Sequence, residues 1–264
     1  MPISHLLDHA VLLGAINELK ELYDGFPLES QIWATFGHRR SPYRALILFG
    51  LSTRTRDRLL EEMCRRFFKQ FPNPESLLAQ WPDGRNSMQD TVRAGQLPFI
   101  ESAVRVIGDS GREVPRDQRR LREIKGVGEK VAECVTAYGW GEQALPMDGN
   151  ACRVVDRVCG LTIDDPGRHV GYLRGRLKEM YQGHRRWMTE RSVAMIDIHE
   201  LLRLHGQVVC TRTPNCSGCP VPVCRSRRHA YVESRGSPVS PAFWQEWRSL
   251  LLEPVRGEAD GWPL

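Results

Sequence analysis

Lysine is scarce in this chain, at five positions (Lys20, Lys69, Lys125, Lys130 and Lys178) against 32 arginines. An arginine keeps its proton at any usable pH, whereas a lysine can present a free amine. Lys130 stands two residues past Gly126-Val127-Gly128, where a helix ending near Ile124 gives way to a second that continues through Val131, Val135 and Tyr138. Glycine at 126 and 128 permits positive φ and close backbone approach, so the amides opening the second helix can face an anion, and a DNA phosphate is the natural guest. Partial burial beside the positive end of a helix dipole favours a free amine, which is what a nucleophile requires. Taken alone, the same residues also fit a plain helix-to-helix turn with a solvated or phosphate-contacting lysine.

Eighteen residues after Lys130 comes Asp148, in Leu145-Pro146-Met147-Asp148-Gly149-Asn150, just before a helix lined by Val154, Val155 and Val158 and ended by Gly160. An aspartate there serves as an N-terminal cap. A carboxylate kept ionised near a helix N-terminus can also stabilise positive charge developing on a sugar and assist proton transfer. A third group is Cys210, Cys216, Cys219 and Cys224, spaced C-x5-C-x2-C-x4-C, while Cys64, Cys134, Cys152 and Cys159 are scattered through helical segments as core thiols. Four thiols in so short a loop suit a metal better than disulfides, and spacing alone leaves zinc and an iron-sulfur cluster balanced.

The run Ile124, Gly126-Val127-Gly128, Lys130 and Ala132 resembles the helix-hairpin-helix motif of the endonuclease III superfamily of base-excision glycosylases, and the aspartate with Arg153 and Arg157 after it resembles the loop following that motif. The resemblance runs from about Pro42 to Arg225. It implies that Lys130 is the attacking nucleophile and Asp148 its stabilising partner, with Gly126 and Gly128 on DNA phosphate. His205-Gly206 ahead of Cys210 resembles the start of the family's four-iron four-sulfur loop, two intervals here being one residue shorter, which implies a 4Fe-4S cluster on Cys210, Cys216, Cys219 and Cys224. That cluster would tie C-terminal helices together and aim Arg212, Arg225, Arg227 and Arg228 at the DNA backbone.

Further positions match loosely. In Leu51 to Asp57, Arg54 stands where the family has a duplex-plugging glutamine, and Gln96 and Leu97 fall in the place of a second wedge loop. Asp148-Gly149-Asn150 looks more like the branch acting on adenine mismatches, whereas Lys130 matches the branch acting on damaged pyrimidines. The implied activity is removal of an oxidised pyrimidine from double-stranded DNA containing damaged bases or abasic sites, with AP lyase cleavage through a lysine Schiff base. The alternatives are a monofunctional glycosylase for mismatched or alkylated bases and a DNA-binding damage sensor with little catalysis.

The elements that would position these groups read at helical period: Leu12, Ile16, Leu19 and Leu22; Tyr43, Leu46, Ile47 and Leu51; Leu59, Leu60, Cys64, Phe67 and Phe68. Breakers at Ser41-Pro42, Pro72-Asn73-Pro74, Pro98 and Pro115 separate them. The expectation is an all-α, two-lobed protein with a cleft between lobes: a helical barrel over 42–145 carrying the hairpin, an iron-sulfur lobe from 1–41 and 146–230, and an extension over 231–264 whose Phe243, Trp244 and Trp247 dock on the parent domain. A net charge of +5 and a pI near 8.8 suit a polyanionic partner. No apolar run approaches the roughly 20 residues of a membrane span, and the N-terminus shows no secretion leader. A monomeric, cytoplasmic, nucleoid-associated protein is expected.

Overall fold

The computed structural model describes residues 8–23, 41–53, 55, 57–81, 88, 91–161, 169–216, 219 and 221–226. Every regular element among them is helical, in agreement with the all-α expectation. In chain order these are α1 (His9–Leu22), α2 (Pro42–Ser52), α3 (Asp57–Gln70), α4 (Pro74–Gln80), a short 3-10 turn (Ala94–Gln96), α5 (Leu97–Asp109), α6 (Gln118–Leu121), α7 (Glu129–Cys134) continued by a π-helical turn (Val135–Gly139), α8 (Gly149–Cys159), α9 (Val170–Gly183), α10 (Arg185–Glu190) and α11 (Met195–Val208). Among the described residues no helix is long and apolar enough to cross a membrane.

The helix starts follow local chemistry. Asp8 accepts from the amides of Ala10 and Val11 at 3.1 and 3.2 Å, Ser41 caps α2 with Pro42 in its first turn, and Asn73 forms a capping box with Ser76 ahead of α4. At its other end α8 stops at Gly160, whose φ of +63° lets Leu161 N–H reach back to the Asp156 carbonyl at 3.0 Å.

The chain divides into two compact units. The larger, Glu29–Gly149 with Gly167–Glu200, carries the hairpin and a core built on Leu46, Ile47, Leu51, Phe67, Phe68, Phe71, Ile100 and Ile107. The α2 and α3 stripes read from the sequence point into it, with one correction: Leu59, in the first turn of α3, is 38% exposed, and Leu60, Met63 and Cys64 take the buried positions. Close packing at two glycines brings α2 against its neighbours. A Cβ at Gly50 would lie 2.1 Å from the Phe99 ring, and one at Gly139 would lie 2.7 Å from Pro42 Cα. The smaller unit, Met1–Leu28, Asn150–Pro166 and Leu201–Leu264, buries Leu12, Ile16 and Leu19 of α1, Val154, Val155 and Val158 of α8, and Val209 and Val221 around the cysteine loop.

Candidate active site and cysteine loop

The turn between α6 and α7 is built as the glycine pattern suggests, with one difference. Gly126 takes a left-handed φ of +86°, while Gly128 is extended at φ −84° and ψ −176° and caps α7 without any side-chain hydrogen bond. Gly128 is therefore not needed for positive φ. Nothing lies within 4 Å of where its Cβ would project, so the missing side chain leaves that approach to the helix start open. The turn is anchored from behind by buried Ile124 and Val127 and by Ser102 of α5, whose hydroxyl accepts from Lys125 N–H at 3.0 Å.

Lys130, the second residue of α7, is half-buried. Its ammonium lies 5.3 Å from the centroid of the Phe49 ring, and among the described residues no hydrogen bond or ion pair holds it. Phe49 packs in turn on Tyr138, ring centroids 5.1 Å apart, and the Tyr138 hydroxyl donates to the buried carboxylate of Glu200. One turn past Lys130 the fully buried Cys134 thiol is pushed up to about 12, first by burial; Lys130 draws it down while Glu200, Asp148 and Glu133 push it up. Cys134 thus reports Lys130 and Asp148 within electrostatic reach of one point. Asp148 is itself half-buried, immediately before α8.

The outer side of α7 is fastened to α9 by four charges absent from the sequence-based reading. Lys178 donates to Glu133 at 2.6 Å, Arg174 pairs with Glu129, and Arg174 Nη1 lies 3.6 Å from Glu133 Oε2. Arg174 holds the Glu129 carboxyl below its usual value, whereas burial raises Glu133 despite the opposing Lys178. The signal was present in the sequence: acids at 129 and 133 and bases at 174 and 178 each repeat at four residues, one face of a helix apiece.

The cysteine loop is gripped from α8. Arg153 donates to the carbonyls of Cys210 at 2.8 Å and Gly206 at 2.6 Å, and Arg157 donates to those of Thr211 at 2.6 Å and Arg212 at 3.0 Å and to the Cys210 sulfur at 3.4 Å. Gly206 is required by contact, since its Cβ would lie 2.7 Å from the Asn150 carbonyl oxygen. Cys210, Cys216, Cys219 and Cys224 all line one cavity of about 60 Å³, with Val158, Val209 and Val221. That is several times the roughly 10–15 Å³ one water needs. Among the described residues no three His, Cys, Asp or Glu side chains converge on a single metal ion. Four thiols around one shared apolar cavity are a donor set that suits a soft metal or an iron-sulfur cluster. Burial and the neighbouring thiols push Cys219 up to about 12, so a metal held on its thiolate would displace a proton. Cys64, Cys134, Cys152 and Cys159 are buried and form no disulfide, as expected of core thiols.

The DNA-opening positions come out differently from the hairpin. Gln96 is occupied internally: its amide nitrogen donates to the Leu51 carbonyl at 2.8 Å and Thr55 hydroxyl at 3.1 Å, and its oxygen accepts from Arg93 N–H. Leu97 is half-buried against the core. Arg212 is exposed, and Arg225 is paired with Asp8, the α1 cap. Arg54, Arg227, Arg228 and the aromatics at Phe243, Trp244 and Trp247 lie outside the described residues.

The architecture is that of the helix-hairpin-helix DNA glycosylases. It superimposes on a non-covalent endonuclease III–DNA complex with a TM-score of 0.64 at 22% identity, covering 82% of this chain and 95% of that one. In sequence the chain is 25% identical over 183 residues to endonuclease III of Haemophilus influenzae, spanning 68% of this chain and 81% of that protein. It is 23% identical over 193 residues to a thymine-DNA glycosylase of Aeropyrum pernix, spanning 68% and 80%. No protein-family model matches it. In sequence and in fold the chain is thus similar to endonuclease III proteins.

Proposed function

We propose that this protein is a base-excision DNA glycosylase with AP lyase activity, acting as a monomer on double-stranded DNA at damaged bases, oxidised pyrimidines foremost, and at abasic sites. The observation that carries the lyase reading is the setting of Lys130: in the first turn of the hairpin helix, half-buried over Phe49, and unpaired among the described residues. An amine with no carboxylate to leave behind is free to attack.

Because C1′ is inaccessible in a stacked duplex, the target nucleotide must first be flipped out. Neutral Lys130 Nζ bonds to C1′ as the glycosidic bond breaks and the base departs with the bonding pair, taking up a proton. Opening of the sugar ring, with loss of the amine proton, yields the Schiff base. Removal of a C2′ proton then expels the 3′ phosphate by β-elimination. Asp148 stabilises the positive charge on the sugar and passes protons. Gly126, the open side of Gly128 and exposed Arg212 would meet phosphates. The residues that would hold a 4Fe-4S cluster are Cys210, Cys216, Cys219 and Cys224, where it would supply a rigid brace for the loop.

Borohydride trapping on abasic-site DNA tests this. A covalent adduct that disappears in Lys130→Gln is expected. No adduct with the unaltered protein removes the lyase, leaving the monofunctional glycosylase suggested by Asp148-Gly149-Asn150 if base release persists, and the damage sensor if it does not. Broad absorbance near ~400 nm with bound iron is expected of the purified protein; zinc without iron overturns the cluster.

A further inference from the structure

Three side chains of the smaller unit form a hydrogen-bonded line ending on a thiol of the cysteine loop. Tyr23, just past α1, is 1% exposed and His205 of α11 is 2% exposed. The Tyr23 hydroxyl lies 3.3 Å from His205 Nδ1, and His205 Nε2 lies 3.5 Å from Cys219 Sγ. The two rings meet edge to face, centroids 6.4 Å apart at 68°, so packing fixes the orientation that the hydrogen bonds use.

The direction of these bonds follows from the donors available. A neutral imidazole has one N–H and one acceptor nitrogen. A free thiol could donate to Nε2, in which case Nδ1–H would donate to the Tyr23 oxygen. A sulfur bound to iron has no proton and can only accept. Nε2 must then carry the hydrogen, Nδ1 becomes the acceptor, and the Tyr23 hydroxyl donates to it. Metal loading therefore selects one tautomer, and the tyrosine two hydrogen bonds away from the sulfur becomes its remote support.

We propose that Tyr23 and His205 are a relay that tunes the electron affinity of the cluster through Cys219. The proposal rests on the cluster reading above. Hydrogen bonds to cluster sulfurs are among the determinants of its potential. A donated N–H offsets negative charge on the thiolate, and it does so most in the reduced, more negative state. Removing the donor lowers the potential; removing the tyrosine hydroxyl weakens the donor's orientation and lowers it less. Neither residue touches DNA-reactive groups, so they act as positioning residues for the cofactor.

The experiment is a redox titration of the iron-loaded full chain, followed by the electron paramagnetic resonance of its cluster, on unaltered protein, His205→Leu and Tyr23→Phe. For His205→Leu the ratio of reduced to oxidised cluster at fixed poise should fall on the order of tenfold, equivalent to about 59 mV for a one-electron couple. Tyr23→Phe should move the same way by less. Unchanged potentials in both variants at full iron content overturn the relay while leaving the cluster in place. Should His205→Leu lose its iron, an unchanged Tyr23→Phe overturns it alone. Zinc without iron in the unaltered protein overturns the cluster reading and this proposal together.

Discussion

The ammonium of Lys130 faces a phenyl ring and, among the described residues, no hydrogen-bond acceptor, whereas the cysteine loop is seized by two guanidinium groups at Gly206, Cys210, Thr211 and Arg212. In the first region restraint falls on the helix behind the functional group, through the Glu129, Glu133, Arg174 and Lys178 charges and the Gly139 contact with Pro42. In the second it falls on the loop backbone itself. The contrast suits the tasks. An attacking amine must change partners during its reaction, while a loop that holds metal must keep its ligands in place. Positive charge serves both regions differently, as the proposed reactive amine in one and as a structural donor in the other.

The contrast can be broken most decisively at Lys130. Lys130→Gln should reduce borohydride trapping to background while shifting stability by no more than about 1 kcal/mol, the typical size of an exposed cation–π contact. A large loss of melting temperature would show that the lysine is held structurally after all. Arg157→Ala tests the opposite region. It strips donors from three carbonyls and a sulfur, and at about 1.5–3 kcal/mol for a charged hydrogen bond it should speed chelator-driven loss of cluster absorbance by at least roughly tenfold, with trapping by Lys130 affected only as the loop fails.

Two glycines of the hairpin unit sharpen the comparison further. Gly139→Ala forces a Cβ to 2.7 Å from Pro42 Cα and should cost about 1–3 kcal/mol in overpacking, read as a lower melting temperature. Gly128→Ala meets nothing within 4 Å, so its melting temperature should hold while affinity for duplex DNA falls. The smallest effect belongs to Glu129. Its carboxyl is held below its ordinary value of 4.5 by Arg174, so the pair stabilises the fold above that value and the contribution fades as pH falls through the depressed one. Glu129→Gln should therefore cost about 1 kcal/mol or less at neutral pH, Glu129 being half exposed and the buried Arg174 keeping Glu133 beside it, and nothing in strong acid.

Much of this was legible from residue types at fixed spacings. Gly126, Lys130 and Asp148 could be picked out because few residues satisfy a left-handed turn, a titratable amine and a helix-start carboxylate, and the four loop cysteines because thiols cluster for few reasons. Gln96 was misleading in emphasis, since an amide's sequence position does not reveal that both its ends are satisfied by Leu51, Thr55 and Arg93. Phe49 under Lys130, and Tyr138 on Glu200, could not be found from spacing, because their partners come from helices distant in sequence. Leu59 failed for a related reason: period assigns a face, and depth within the face depends on where the neighbouring helices end.

The π-helical turn at Val135–Gly139 has a consequence for how this chain can be compared and altered. Thr136 donates its hydroxyl to the Ala132 carbonyl at 2.9 Å, and the widened turn carries one residue more than an α-helical turn would. Removing a single residue there would restore ordinary winding at the end of the helix and alter where the chain enters the coil over 141–148. The eighteen positions from Lys130 to Asp148 thus include one residue taken up by the widened turn. A one-residue deletion in this stretch should be more damaging than a conservative substitution in it, because it changes the length of chain that leads from the hairpin helix to Asp148.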